Sequence, residues 1–395
     1  MKSSGTIVFY AFLVIFVTLA YLYNNNLLSF LPKNDTQVKS SRAEVEFKDK
    51  AFRLDFSKKY DGYSTEAASF EETEKWSGVN FDNFEYDDIT FFDGKTSLDI
   101  VSKNSQNAAV KMQRNLDLND YEIIKMLVYS PKVENSDNIK NLTLTFNTSN
   151  NNSFEYDITN LKTGWNLVKM PKNTFSSTQK MASSSAGWDR IKDIQVSLVS
   201  RPSTKVELNL DRIWAEKDES YQDYLLTNNE NMLSLKEFQG KNYLFINNFG
   251  GLNSVIKKVT SVKNFTYIVK IIPIKKGVFG LGGRFDFITG YGYFMEFTGI
   301  NSGNWQFYKL SKPNADNSPI TQLDSGTITN YQIDIGKPIW VKMAFESKKI
   351  SAYFSLDGQN FTRLTEKNDG EIASGGIGFF SKGGGFLLES VDFTQ

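Results

Sequence analysis

Apolar and polar positions alternate along most of this chain. In "WVKMAFESKKISAYFSLDGQNF" (340–361), Val341, Met343 and Phe345 fall on one side and Lys342 and Glu346 on the other. Ser347-Lys348-Lys349 interrupts the run, and Ile350, Ala352, Phe354 and Leu356 resume it before Asp357-Gly358. A period of two bounded by turn residues predicts half-buried antiparallel strands. Asp-Gly suits a hairpin turn because both residues tolerate positive φ. The alternation assigns Lys342, Glu346, Ser351 and Tyr353 to an outer or rim surface, with Tyr353 the residue there able to meet a ligand.

The same alternation recurs in "SLDIVS", "EIIKMLVYS", "NLTLTFNTS", "DIQVSLVS" and "KVELNLDRIWAE", and later in "NYLFINN", "FTYIVKIIPI", "GYFMEFTG" and "NWQFYKLS". Turn clusters such as "SPKVENSDN" and "TSNNNS" separate the runs. A first β block spans 51–217. The charged stretch 218–231 reads as a linker, and a second β block spans 232–395. No sustained 3.6-residue pattern appears in either block, and each is long enough to bury its own core. The expected fold is all-β: two tandem antiparallel β-sandwiches (jelly rolls) after one N-terminal transmembrane helix.

That helix comes from the one segment that breaks the alternation. Residues 6–23, "TIVFYAFLVIFVTLAYLY", carry no charge, Lys2 precedes them, and the chain turns polar at Asn24. A span needs roughly 17–25 apolar residues. The expectation is a short cytoplasmic tail (1–5), a signal anchor (6–23) and a stalk (24–50), with the ectodomain outside a cell membrane. A cleaved signal peptide is the competing reading, with Thr18-Leu19-Ala20 as its small-residue site. The apolar run continues through Tyr21-Leu22-Tyr23, which favours the anchor. Cleavage would make the chain secreted.

Composition then removes whole classes of chemistry. Lys+Arg and Asp+Glu are 45 each, so the formal charge is zero and no basic patch argues for nucleic acid. There is no cysteine, which excludes disulfides, thiolate nucleophiles and cysteine metal sites. There is no histidine, which excludes histidine bases, triads and ordinary zinc sites. Carboxylate chemistry and an all-oxygen calcium site remain. An exported chain without cysteine fits a surface protein of a Gram-positive-type cell. Six Asn-X-Ser/Thr sequons match what chance gives in so Asn- and Ser-rich a chain. "GLGGRF" and "KGGGF" lack the Gly-x-Gly-x-x-Gly frame and read as bulges and tight turns.

The first block resembles the galactose-binding-like jelly rolls of carbohydrate-binding modules. The resemblance rests on "DGKTSLDI" (93–100), "TGWNLVKMP" (163–171), "GWDRIKDIQVSLVS" (187–200) and "VELNLDRIWAE" (206–216), in that order. The second block resembles concanavalin A-like lectin/glucanase sandwiches, laminin-G-like domains among them. It does so through "FTYIVKI" (265–271), "GVFGLGGRFDFITGYGYFMEF" (277–297), "WQFYKL" (305–310), the 340–361 hairpin and "GGIGFFS" (375–381). The laminarinase-type members carry Glu-x-Asp-x-x-Glu on one strand, and this sequence has no such string. The resemblance therefore implies a non-catalytic carbohydrate-binding protein that engages a cell-surface or secreted polysaccharide as an accessory to its synthesis or export. An adhesive surface protein with protein partners, and a glycoside hydrolase with an unrecognised carboxylate pair, are the alternatives.

Sugar recognition wants aromatic planes for CH faces and amide, Arg or carboxylate groups for hydroxyls. In the second block Arg284, Tyr291, Tyr293, Glu296, Trp305 and Tyr308 fall within neighbouring strands. Alternation puts Tyr291 and Tyr293 on one face and Glu296 on the other, so they cannot all line one groove. In the first block Trp165, Trp188 and Trp214 read as core, and Trp76, in "EKWSGVNFDNFEYDD", as a loop platform. Jelly rolls of the resembled kind often hold a structural calcium, for which Asp88 and Asp211 are the candidate ligands. No other cofactor is expected.

Overall fold

In the computed structural model, residues 51–103, 107–150, 152–177, 187–227, 233–248, 252–256, 259, 261–298, 302–312, 319–329 and 331–395 are described. The expected tail, anchor and stalk lie outside the described residues, and among those described no helix is long and apolar enough to cross a membrane.

The alternating runs become antiparallel strands in four sheets, packed in pairs as two sandwiches. In the first, a front sheet runs in the order Gly164–Pro171, Ile123–Ser130, Lys205–Glu216, Ser97–Lys103, Asn83–Asp87. Ser64–Ala68 pairs with the end of Lys205–Glu216. A six-stranded rear sheet is centred on Ile139–Thr148, Ile191–Ser200 and Asn107–Leu116. Leu98, Ile100, Val128 and Leu208 of the front sheet meet Val110, Leu144, Val196 and the fully buried Trp188. Burying such side chains contributes about 1.5–3 kcal/mol each.

In the second sandwich an eight-stranded sheet contains Gly384–Thr394, Phe265–Lys275, Ile339–Glu346 and Lys349–Ser355. It faces a seven-stranded sheet with the order Leu225–Thr227, Leu252–Ile256, Gly376–Lys382, Val278–Phe285, Gly292–Thr298, Asn304–Leu310, Ile320–Thr327. In the 340–361 hairpin Val341, Met343, Phe345, Ile350, Ala352 and Phe354 are all buried. Leu356 departs from the expected alternation: it lies past the strand end and is 48% exposed. Ser351 departs too, being buried. Tyr353 has the Lys342 ammonium 4.3 Å from its ring centre, so its face is already covered.

Two expected boundaries need correction. Residues 51–60 do not belong to the first sandwich. Ala51–Asp55 pairs with Gly384–Thr394, and Phe56 and Tyr60 sit in the core of the second. Nor is 218–231 a free linker, because Tyr221 and Leu225 are buried in that same core. Alternation reports which face of a strand is wet, and says nothing about which distant strand it will pair with.

A polar junction joins the sandwiches. Lys125, fully buried on the front sheet, bonds Glu216 and Glu219 (2.6 Å each) and the hydroxyl of Tyr221 (2.9 Å). Glu216 also accepts from the Trp214 indole and from the backbone N–H of Leu235. Asn242 donates to Ser64, and Asn247 to the carbonyl of Phe92. A buried ion pair of this kind stabilises little by itself, but removing one member strands the other, at about 3–5 kcal/mol. The junction therefore fixes one relative placement of the two sandwiches.

Candidate functional site

The structure divides the residues expected in the second block. Trp305 is buried against Phe297 in the core, its ring lying over Gly326. Tyr293 is fully buried, and its hydroxyl donates to Asp369 (2.7 Å) and accepts from the N–H of Ile372. Arg284 occupies a bulge with φ 48°, which turns its side chain into the end of the sandwich. Its guanidinium donates to the carbonyls of Lys263, Ile372 and Ser347 at 2.6–3.1 Å. It staples three loops with its guanidinium committed to their carbonyls, and burial lowers its pKa. Tyr291 lies in the 286–291 turn, half-buried, outside any strand. Arg284, Tyr293 and Trp305 are thus structural: alternation points Tyr293 and Trp305 inward, and the bulge turns Arg284 there.

Glu296 and Tyr308 do come together, on the outer face of the seven-stranded sheet. The Tyr308 hydroxyl donates to Glu296 at 3.3 Å. With Gln306, Gln322, Phe380 and Lys382 they line a hollow of about 270 Å³. Its floor follows from glycine. Gly280 stands opposite Glu296 in register, and the Phe380 ring lies where its Cβ would be, while next to it the Phe294 ring packs closely over Gly282. Burial raises the pKa of both Glu296 and Tyr308, with the Tyr308 hydrogen bond lowering that of Glu296 in part.

In the first sandwich the expected loop platform is absent. Trp76 is buried, stacked on Phe70 at 4.4 Å and 6°, with its indole on Glu74. The calcium expectation fits no better. Asp211 is fully buried and accepts backbone N–H groups from Phe92, Asp93 and Arg212, while Asp88 lies exposed on a loop. Among the described residues no three acids group to hold a metal ion, so these donors do not fit calcium. Burial first, and then the charge of Asp93, pushes the Asp211 carboxyl up to about 7.

The face that sequence reasoning missed is the outer surface of the front sheet. One cross-strand row reads Trp165, Tyr129, Asn209, Asp99, Glu85, one residue from each of five strands. Trp165 and Tyr129 are half-buried, their rings 5.3 Å apart. Trp165 is therefore not core as expected, and Trp214 belongs to a small outward cluster with Leu127 and Phe92 at the junction. Asn83 donates to Asp99 and Glu85 at 3.0 Å, and Asn209 donates to Asp87 at 2.9 Å. Burial raises the Asp99 pKa, Asn83 opposes the rise, and the neighbouring acids add to it. Parity was the available signal: Leu98 and Ile100 are core, so Asp99 faces out, and Val128 core puts Tyr129 outside.

No family model matches the sequence, and no curated protein matches it. Solved structures do match. The carbohydrate binding module CBM66 from Bacillus subtilis is similar at 16% identity, over 43% of this chain and 95% of that one, with a TM-score of 0.34. A family 11 carbohydrate-binding module from Clostridium thermocellum, in complex with a β-1,3-1,4-mixed-linked tetrasaccharide, is similar at 12% identity. It covers 39% of this chain and 95% of its own, with a TM-score of 0.30. The VIP36 exoplasmic/lumenal domain in its Ca2+/Man3GlcNAc-bound form is similar at 12% identity, over 45% and 88%, with a TM-score of 0.29. Each is a distant likeness.

Proposed function

We propose that this chain is a non-catalytic carbohydrate-binding protein that holds a polysaccharide on its sheet faces. The observation that carries the reading is the row Trp165–Tyr129–Asn209–Asp99–Glu85. It places two half-buried aromatic rings and the carboxylates of Asp99 and Glu85 in line on one sheet face, with the buried Asn209 between them tied to Asp87 and Ser97, and aromatic planes beside hydrogen-bonding groups are what a sugar chain needs. The glycine-floored hollow at Glu296 and Tyr308 adds a smaller surface of the same chemistry. The apolar segment 6–23 adds the rest of the proposal: a membrane-anchored, exported protein at the cell surface, accessory to polysaccharide synthesis or export.

The test is binding of the chain to a panel of neutral polysaccharides, with reducing ends assayed in the same tubes. Trp165→Ala is expected to weaken binding about 10- to 100-fold without release of reducing ends. Binding that survives Trp165→Ala and Tyr129→Ala together would sink the reading.

A second reading, hydrolysis, has one observation on its side. Asp99 and Glu85 stand directly opposite on neighbouring strands, and Asp99 is shifted toward its acid form. Reducing ends that appear with the native chain and vanish in Asp99→Asn would establish it. The Glu296 hollow offers no such pair, since Glu296 is the sole acid among its described lining residues.

A further inference from the structure

Four ionisable side chains meet under the junction, and their contacts form a closed circuit. Lys125 lies on Ile123–Ser130, and Glu216 ends the neighbouring strand Lys205–Glu216; both are fully buried, as is Tyr221. Three acceptors surround the Lys125 ammonium: Glu216 Oε2 and Glu219 Oε1 at 2.6 Å each, and the Tyr221 hydroxyl at 2.9 Å. That hydroxyl donates in turn to Glu216 Oε2 at 3.2 Å, so it bridges the amine to the carboxylate. The other oxygen of Glu216, Oε1, accepts the indole N–H of Trp214 at 2.7 Å and the backbone N–H of Leu235 at 3.1 Å.

Each contact has a place in an acyl condensation. A lysine held out of water is an amine nucleophile once it gives up a proton. Two N–H groups on one carboxyl oxygen at these distances make an oxyanion hole. Burial, and then the charges of Glu216 and Glu219, hold the Tyr221 hydroxyl well above its ordinary pKa, so it stays protonated and able to relay. An ion pair taken fully out of water also carries the desolvation cost of both charges, which a neutral amide does not.

We propose that Lys125 and Glu216 condense to an isopeptide bond that joins the two strands, ammonium and carboxylate becoming amide and water. One proton passes from Nζ to Oε2 along their hydrogen bond, which leaves an amine and a carboxyl group. The amine lone pair forms the Nζ–Cδ bond, and a C–O electron pair moves onto Oε1 between the Trp214 and Leu235 N–H groups. Glu219 faces the positive charge that develops on Nζ. A second proton leaves Nζ for the Tyr221 oxygen while the Tyr221 proton passes to Oε2. The Cδ–Oε2 bond then breaks, one water leaves and the Oε1 carbonyl re-forms. The remaining amide N–H keeps its bond to Glu219. No charge is stranded, because Glu219 retains Lys169 at 2.9 Å. The link closes the loop 125–216 in a chain without cysteine, and a long closed loop restrains the unfolded chain. It stands independently of the carbohydrate reading.

The full chain would be denatured, digested with trypsin and mapped by mass spectrometry. In the native chain, peptides 115–132 and 213–217 should be recovered joined, uncut after Lys125 and lighter than their sum by one water. Separate peptides, with cleavage after Lys125, overturn the proposal, and that outcome needs no variant to fold. A water loss from the whole chain that persists in Lys125→Met lies elsewhere, as in a succinimide at Asp93-Gly94 or Asp357-Gly358, and overturns the link too. Glu219→Gln removes the charge facing Nζ at a side chain 23% exposed, so the fold should hold. The rate at which newly made protein becomes joined should then fall about tenfold or more. Joining at the native rate in that variant overturns the role given to Glu219.

Discussion

The two outward faces are built by the same alternation and end with different surfaces. On the first sandwich, Trp165 and Tyr129 stand among Asn209, Asp99 and Glu85, with no glycine in the row to lie over. They stay half-exposed. On the second, Phe294 and Phe380 lie over Gly282 and Gly280 and are only 5% and 8% exposed, which leaves Tyr308 and Glu296 as the reachable groups. An outward aromatic is thus available to a ligand only when its cross-strand neighbours have side chains to prop it up. Counting aromatics per strand cannot tell the two cases apart.

The strongest way to break the comparison is to fill the glycine floor. In Gly280→Val the new Cβ meets the Phe380 ring and the backbone carbonyl of Met295, and the carbonyl cannot move without its strand. Overpacking of this kind costs typically 1–3 kcal/mol and occasionally more. A loss of about 3 kcal/mol in denaturant unfolding is expected, together with release of Phe380 to solvent. A variant as stable as the native chain would mean that the rings do not need the glycines.

Charge separates the two halves of the front sheet in the same way. Asp99 lies on the open half, whereas Asp211 is fully buried beside the junction with its carboxyl raised to about 7. A folded pKa above the unfolded value makes the ionised form a cost in the fold. Between about pH 4 and 7 the native state holds the extra proton, so this group's contribution to stability falls as pH rises through that window. Asp93, where Lys236 and Arg212 outweigh burial to hold the carboxyl low, acts oppositely and only toward the acid end. Asp211→Asn should flatten the slope between pH 5 and 7.5 by roughly 2–4 kcal/mol at most. An unchanged slope would place the titration elsewhere.

Much of this was legible in the chain, and the failures have one cause. Strand existence, the all-β class and the inward faces followed from alternation at Val341, Met343 and Phe345 or Leu98 and Ile100. Pairing between distant strands did not: Ala51–Asp55 joins Gly384–Thr394 across nearly the whole described chain. The site suffered from reading residue type before parity. Arg284, Tyr293 and Trp305 have sugar-binding chemistry but point inward, and Trp165 was set aside as core although its strand partner Tyr129 faces out. Arg284 was beyond parity as well, because a bulge at φ 48° decides its direction.

The smallest expected effect decides between the two faces. Glu296→Gln keeps the shape and the acceptor for the Tyr308 hydroxyl. Burial raises the pKa of Glu296, so its ionised form is mildly disfavoured in the fold. The variant should therefore match or slightly exceed native stability at pH 7.5, by less than about 1 kcal/mol for a group this open to solvent, with the gap closing as pH falls toward the unfolded pKa. Its use lies in binding. If the polysaccharide sits on the Trp165 row, Glu296→Gln leaves affinity unchanged. If the chain wraps from one sandwich to the other, affinity falls a further few-fold in the Trp165→Ala background. A loss as large as that of Trp165→Ala alone would invert the comparison, because the nearly covered rings of the second face would then be the ones that hold the ligand.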